Sequence, residues 1–127
     1  MQTAHQLTDD IFYHSLITII PDTCYRDTPF IGITNINIGT SYLQYVYQQF
    51  GNNRIFSSAA YNAGPGRVRT WLGNSAGRID AVAFVESIPF SETRGYVKNV
   101  LAYDAYYRYF MGDKPTLMSA TEWGRRY

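Results

Sequence analysis

From Asn35 to Phe50, the residues Ile36, Gly39, Leu43, Val46, Tyr47 and Phe50 return at helical spacing, which predicts a helix with one buried stripe. Gly51 supplies a C-terminal stop and Asn52-Asn53 a turn. A second helix is predicted over Arg54–Ala63, with Ile55, Phe56, Ala59, Ala60 and Ala63 inward and the alanines small enough to admit a neighbouring helix closely. Gly64-Pro65-Gly66 breaks it. A short helix is expected around Val68, Trp71 and Leu72, closed by Gly73, and another over Asp80 to Ser87 ahead of Pro89. The longest helix should start with Ser91 as N-cap and run to about Phe110. Tyr96, Val100, Tyr103, Tyr107 and Phe110 make its apolar face, Val97 and Leu101 widen it, and Gly112 follows its end. The tail from Lys114 to Tyr127 is polar, with Trp123 as its expected anchor. The pattern predicts an all-α fold of short packed helices, with no internal repeat and no low-complexity tract.

Residues 1–33 have a different texture. Ile11 to Ile20 is apolar and rich in β-branched residues, and periodicity does not decide between strand and buried helix. Pro21, Asp22 and Pro29 mark the rest as loop. The division expected is therefore an irregular segment, 1–33, ahead of a helical unit, 34–127. Charge divides at the same place. Residues 1–33 set Arg26 against Asp9, Asp10, Asp22 and Asp27, while basic side chains outnumber acidic ones afterwards.

The 127 residues suit one domain, and 46% hydrophobic against 17% charged residues favours folding over disorder. A net charge of +1 implies no polyanion field, and Arg67 and Arg69 read as a solvated edge; no nucleic-acid partner is expected. Cys24 is alone, so no internal disulfide forms, and His5 and His14 share no ligand spacing with other donors, so no metal site is expected. Ile11 to Ile20 is too short to span a bilayer, and Asp9 and Asp10 stand where a signal peptide carries basic residues.

Twelve tyrosines raise the question of sugar binding, since flat faces stack on rings. Tyr61-Asn62-Ala63-Gly64 places a phenol and an amide beside a glycine break. The pair could grip a sugar's N-acetyl group, or simply end a helix. Glu92 could complement a helix dipole or accept hydrogen bonds from a glycan, with Arg94 and Tyr96 near it. Glu86 and Glu92 could form a glycosidase pair if they stood about 5–9.5 Å apart. Gly64-Pro65-Gly66 follows a helix rather than a strand and lacks a third glycine, which excludes a dinucleotide site. Ser57 and Ser58 lack a nucleophile elbow. No cofactor is called for.

The run Ala60 to Val68, the run Ile88 to Val97 and the segment Asn35 to Leu43 together resemble the soluble lytic murein transglycosylase family, from about Thr34 to Tyr127. The resemblance implies a goose-type lysozyme-like helical domain. It also implies cleavage of the β-1,4 bond between N-acetylmuramic acid and N-acetylglucosamine, with a 1,6-anhydro product, in the periplasm or cell envelope. The partner implied is the peptidoglycan glycan strand. By the same resemblance Tyr61 lines the cleft and orients the catalytic glutamate or the N-acetyl carbonyl. Asn62, Ala63 and Gly64 shape that wall, Glu92 contacts the glycan or its peptide near the reacting ring with Tyr96 in support, and Arg94 holds Glu92 or reaches the substrate. The family's catalytic glutamate belongs to a Glu-Ser motif followed by Gly-Leu-Met-Gln, and residues 1–33 contain neither motif and no glutamate. Loss of the helices that carry them should expose apolar faces of Asn35–Phe50 and Arg54–Ala63.

Overall fold

Two consecutive left-handed residues, Gly51 (φ 66) and Asn52 (φ 59), turn the chain from its first described helix into its central one. The computed structural model describes residues 41–127. The readings made for residues 1–33, including Ile11 to Ile20, His5, His14 and Cys24, lie outside the described residues, as does the 35–40 part of the first helix. Among the described residues the fold is all-α. Helix α1 covers 41–49. It is followed by α2 (Arg54–Ala63), α3 (Pro65–Ser75), α4 (Ala81–Ser87), α5 (Ser91–Phe110) and α6 (Ala120–Gly124).

Helix α2 is the axis of the molecule. Asn53 caps it, its Oδ1 accepting from the amides of Ile55 and Phe56 at 3.0 and 3.1 Å. Residues 54–60 and Ala63 are buried, and the helix packs against α5 and α3. Its two buried serines are satisfied locally, since the hydroxyls of Ser57 and Ser58 donate to the carbonyls of Asn53 and Arg54. The expected exposure of the Arg54–Ala63 face is thus overturned, because the helices after it close over it. Phe56 meets Phe84 edge-on at 5.5 Å, and Tyr127 lies 5.0 Å from Phe56 and 5.2 Å from Phe84. Val68, Val97 and Leu101 complete this cluster.

Several local expectations change. Pro65 takes the first position of α3, so Gly64-Pro65-Gly66 interrupts the helix for only one residue. Helix α3 also runs through Gly73 and ends at Ala76, which adopts the left-handed conformation. Phe90, not Ser91, holds the N-cap position of α5 and offers no side-chain cap. The buried face of α5 is Thr93, Val97, Val100, Leu101 and Asp104, while Tyr103, Tyr107 and Phe110 are exposed. A helical stripe rich in tyrosine could lie on either side of that boundary, and the buried Asp104 decides it.

Asp104 is buried because Arg54 is. The Arg54 guanidinium pairs with Asp104 and with Glu122 Oε2 (2.7 Å), and its Nε donates to Glu122 Oε1 at 2.8 Å. Arg108 adds a 2.9 Å bond to Asp104. Glu122 also closes the capping box of α6 with Ser119. The C-terminal segment is therefore held by Glu122 and by Tyr127. Trp123, the expected anchor, is 65% exposed.

Burial alone would raise the Glu122 pKa, but the Arg54 hydrogen bond and charge, with the Ser119 and Arg54 backbone amides, bring it below its usual value. A carboxylate depressed in the folded state contributes stability above its unfolded pKa and loses it as pH falls through the folded value. Urea midpoints are therefore expected to fall progressively below about pH 4.5. The slope should be shallower in Glu122→Gln; an equal slope in the variant would remove Glu122 as the source.

Candidate functional site

The sequence runs singled out above meet where α2 ends and α5 begins. Gly64 takes φ 94 and ψ 145 between α2 and α3, a region that side chains disfavour. A Cβ built there meets nothing within 4 Å, so the glycine is required by backbone conformation and not by a close neighbour. Gly64→Ala is expected to cost about 1–3 kcal/mol, read from chemical denaturation; a change under a few tenths would show that the turn adapts.

Two side-chain contacts join the runs. Thr93, buried in the first turn of α5, donates from Oγ1 to Asn62 Oδ1 at 2.7 Å. On the adjoining side, Tyr61 and Tyr96 stack with centroids 6.5 Å apart and planes 14° from parallel. Tyr42 of α1 tilts against Tyr61 at 6.1 Å, and the tyrosine pair rests on a small apolar cluster of Leu43, Tyr47 and Val100. The Tyr96 hydroxyl is buried with no hydrogen-bond partner. Its burial, with a contribution from Tyr61, pushes its pKa far above the ordinary tyrosine value, so it is a neutral donor at any physiological pH.

Asn62, Ala63, Arg67, Pro89, Phe90, Ser91, Glu92 and Thr93 enclose an open, mostly polar pocket of about 450 Å³. The structure thus places Asn62, Ala63 and Glu92 in one pocket and Tyr61 with Tyr96 beside it, with Gly64 forming the turn. Arg94 departs from this set, its guanidinium donating to the Glu86 carbonyl at 3.2 Å. The Glu86 carboxylate pairs with Lys98, is 53% exposed and does not line the pocket. Arg67, read from the sequence as a solvated edge, is exposed; it also lies 5.0 Å over the Phe90 ring and donates to the Ala63 carbonyl at 2.9 Å. Thr93 carried no signal of its own, because its partner Asn62 is brought to it from 31 positions away. Among the described residues no cluster of His, Cys, Asp or Glu could hold a metal, and no helix is long and apolar enough to cross a membrane.

A helical domain with one pocket lined by residues of both runs defines a class. The family model described as transglycosylase SLT domain matches residues 16–84, and that described as soluble lytic transglycosylase helical domain matches 87–115. The chain belongs to the transglycosylase SLT domain family, with its lysozyme-like helical fold. It is 92% identical over 94 residues to the soluble lytic murein transglycosylase of Salmonella typhimurium, which covers 74% of this chain and 15% of that protein. It is 46% identical over 96 residues to the putative soluble lytic murein transglycosylase of Haemophilus influenzae, covering 75% of this chain and 16% of the other. The chain thus spans well under a fifth of the length of these curated relatives. The crystal structure of the 70 kDa soluble lytic transglycosylase from Escherichia coli superposes with a TM-score of 0.74 at 79% identity, covering 93% of this chain and 19% of that one.

Proposed function

We propose that residues 34–127 form the C-terminal part of a peptidoglycan lytic transglycosylase domain, acting in the periplasm or cell envelope. The reaction is cleavage of the β-1,4 bond between N-acetylmuramic acid and N-acetylglucosamine. The muramic C6 hydroxyl attacks C1 while an acid protonates the leaving oxygen, leaving a 1,6-anhydro end. The observation that carries this reading is the joining of the two runs, by the Thr93–Asn62 hydrogen bond and the Tyr61–Tyr96 stack, with Asn62 and Glu92 lining one pocket. Such an arrangement suits an acylated amino sugar. The stacked rings offer an apolar face, Asn62 can donate to a carbonyl, and Glu92 can accept from an N–H or hydroxyl. Tyr61 orients the acid or the N-acetyl group, Asn62, Ala63 and Gly64 shape the wall, Glu92 contacts the glycan or its peptide, and Tyr96 supports Glu92.

The proton donor is a separate matter. A glycosidic general acid needs a raised pKa, which an apolar pocket supplies. Glu122 is ion-paired and depressed, Glu86 is exposed and paired with Lys98, and Glu92 is exposed at the pocket. This favours a second reading, in which the chain binds peptidoglycan without cleaving it. Mass spectrometry of muropeptides released from intact sacculi separates the two. Anhydromuramic ends above a no-protein control support cleavage. Co-sedimentation with sacculi, without such products and abolished by Tyr61→Ala, supports binding alone. A folded chain that does neither refutes both.

A further inference from the structure

The pocket beside Asn62 contains a cation that the cleavage reaction leaves without a task. Arg67 is an exposed side chain with two contacts: one N–H donates to the Ala63 carbonyl, and one face of the guanidinium lies over Phe90, itself held edge-on against Trp71 at 5.6 Å. Among the described residues no carboxylate pairs with it, as is true of most of the arginines and lysines there; only Arg54, Arg108 and Lys98 have acidic partners. A guanidinium held in place has already lost much of the rotamer freedom that ligand binding would otherwise cost, and its remaining donors form a planar fork. The planar complement to such a fork is an oxyanion bound through two parallel hydrogen bonds. Glu92 lines the same pocket, so a doubly charged group such as a phosphate monoester would meet repulsion there. A singly charged carboxylate next to an amide N–H fits both residues.

We propose that Arg67 is a specificity-determining residue that binds a carboxylate of the murein strand, while Glu92 accepts from an adjacent amide N–H. This rests on the glycan reading given under Proposed function and deepens it. Neutral N-acetylglucosamine polymers have no carboxylate. Murein carries them either on the lactyl group of a peptide-free muramic acid or on the stem peptide. Arg67 thereby favours murein over other β-1,4-linked N-acetylated strands.

The test measures affinities of the whole chain for three probes: N,N′-diacetylchitobiose, the disaccharide N-acetylglucosaminyl-N-acetylmuramic acid, and the same disaccharide carrying a tetrapeptide. The ratio of affinities for a charged probe over diacetylchitobiose is expected to fall about fivefold to tenfold in Arg67→Gln. Arg67→Lys, which keeps the charge and loses the fork, should fall between that variant and the parent. The charged probe whose ratio falls more identifies the carboxylate as lactyl or peptidic. For the parent chain the same ratio should shrink between 50 and 500 mM salt. An unchanged ratio in both variants, or equal weakening of all three probes, overturns the proposal while leaving glycan binding intact. If the folded parent binds none of the probes, the glycan reading itself fails, and this inference with it.

Discussion

Arg54→Met is expected to destabilise the fold by about 3–5 kcal/mol, the cost of leaving buried charges without their partner. Asp104 is fully buried and Glu122 nearly so, and Arg54 bonds both carboxylates. Glu122 Oε1 additionally accepts from the Arg54 backbone amide at 3.1 Å, so the substitution disturbs the start of α2 as well as the ion network. Asp104 would keep only Arg108, which is more exposed than Arg54. Its second oxygen is already buried without a hydrogen bond. Arg54→Lys keeps the charge but cannot form the fork, and should cost less than Arg54→Met while still measurable. Urea unfolding of the two variants checks the order, and a loss under about 1 kcal/mol in Arg54→Met would mean that the network is solvated and weak. Because α2 carries Tyr61 and Asn62 at its other end, destabilising its first turn should also loosen the cleft wall.

Tyr127→Ala is expected to cost a similar amount, about 3–5 kcal/mol, the range for truncating a buried aromatic ring. Its ring is 1% exposed and packs on Phe56 and Phe84. Its hydroxyl accepts from Asn53 Nδ2 at 2.9 Å and donates to the Glu122 carbonyl at 3.0 Å, so truncation leaves a buried amide and a carbonyl unsatisfied. The backbone of Tyr127 exchanges two hydrogen bonds with Ile79, at 2.8 and 3.1 Å, and these survive the substitution. Tyr127→Phe should therefore keep the packing and lose only about 1–2 kcal/mol. Equal losses in the two variants would place the weight on the hydroxyl rather than on the ring. Trp123→Ala, by contrast, should change stability by under about 0.5 kcal/mol, since a mostly exposed ring has little buried area to lose.

The contrast between Trp123 and Tyr127 shows where sequence reading failed. In a polar tail the larger apolar ring is the natural anchor, but burial depends on where the turn after α6 points the chain. The same holds for α5. Its stripe of tyrosines was legible as an apolar face, yet Tyr103, Tyr107 and Phe110 face outward because Asp104 turns inward to Arg54, fifty positions away in the chain. Arg67 is a surface arginine as its sequence suggests, but the approach of Phe90 across the α4–α5 connection, which places a ring under its guanidinium, was not legible. The helix expected over Arg54–Ala63 forms, because an alanine-rich stripe and a glycine stop are local signals that agree with one another.

The chain's own order of residues determined the helical class, the limits of α2, the end of α5 and the pair of runs by which the family is recognised. These depend on hydrophobic period, caps and breakers, which act within a few residues. Tertiary structure alone decided which face of α5 is buried, that Arg54 is the centre of an internal ion network, and that Thr93 and Arg67 line one pocket with Asn62 and Glu92. Those outcomes depend on contacts between segments far apart in the chain. Burying a charge is tolerated only where folding delivers its partner to the same place, and no local pattern records that meeting.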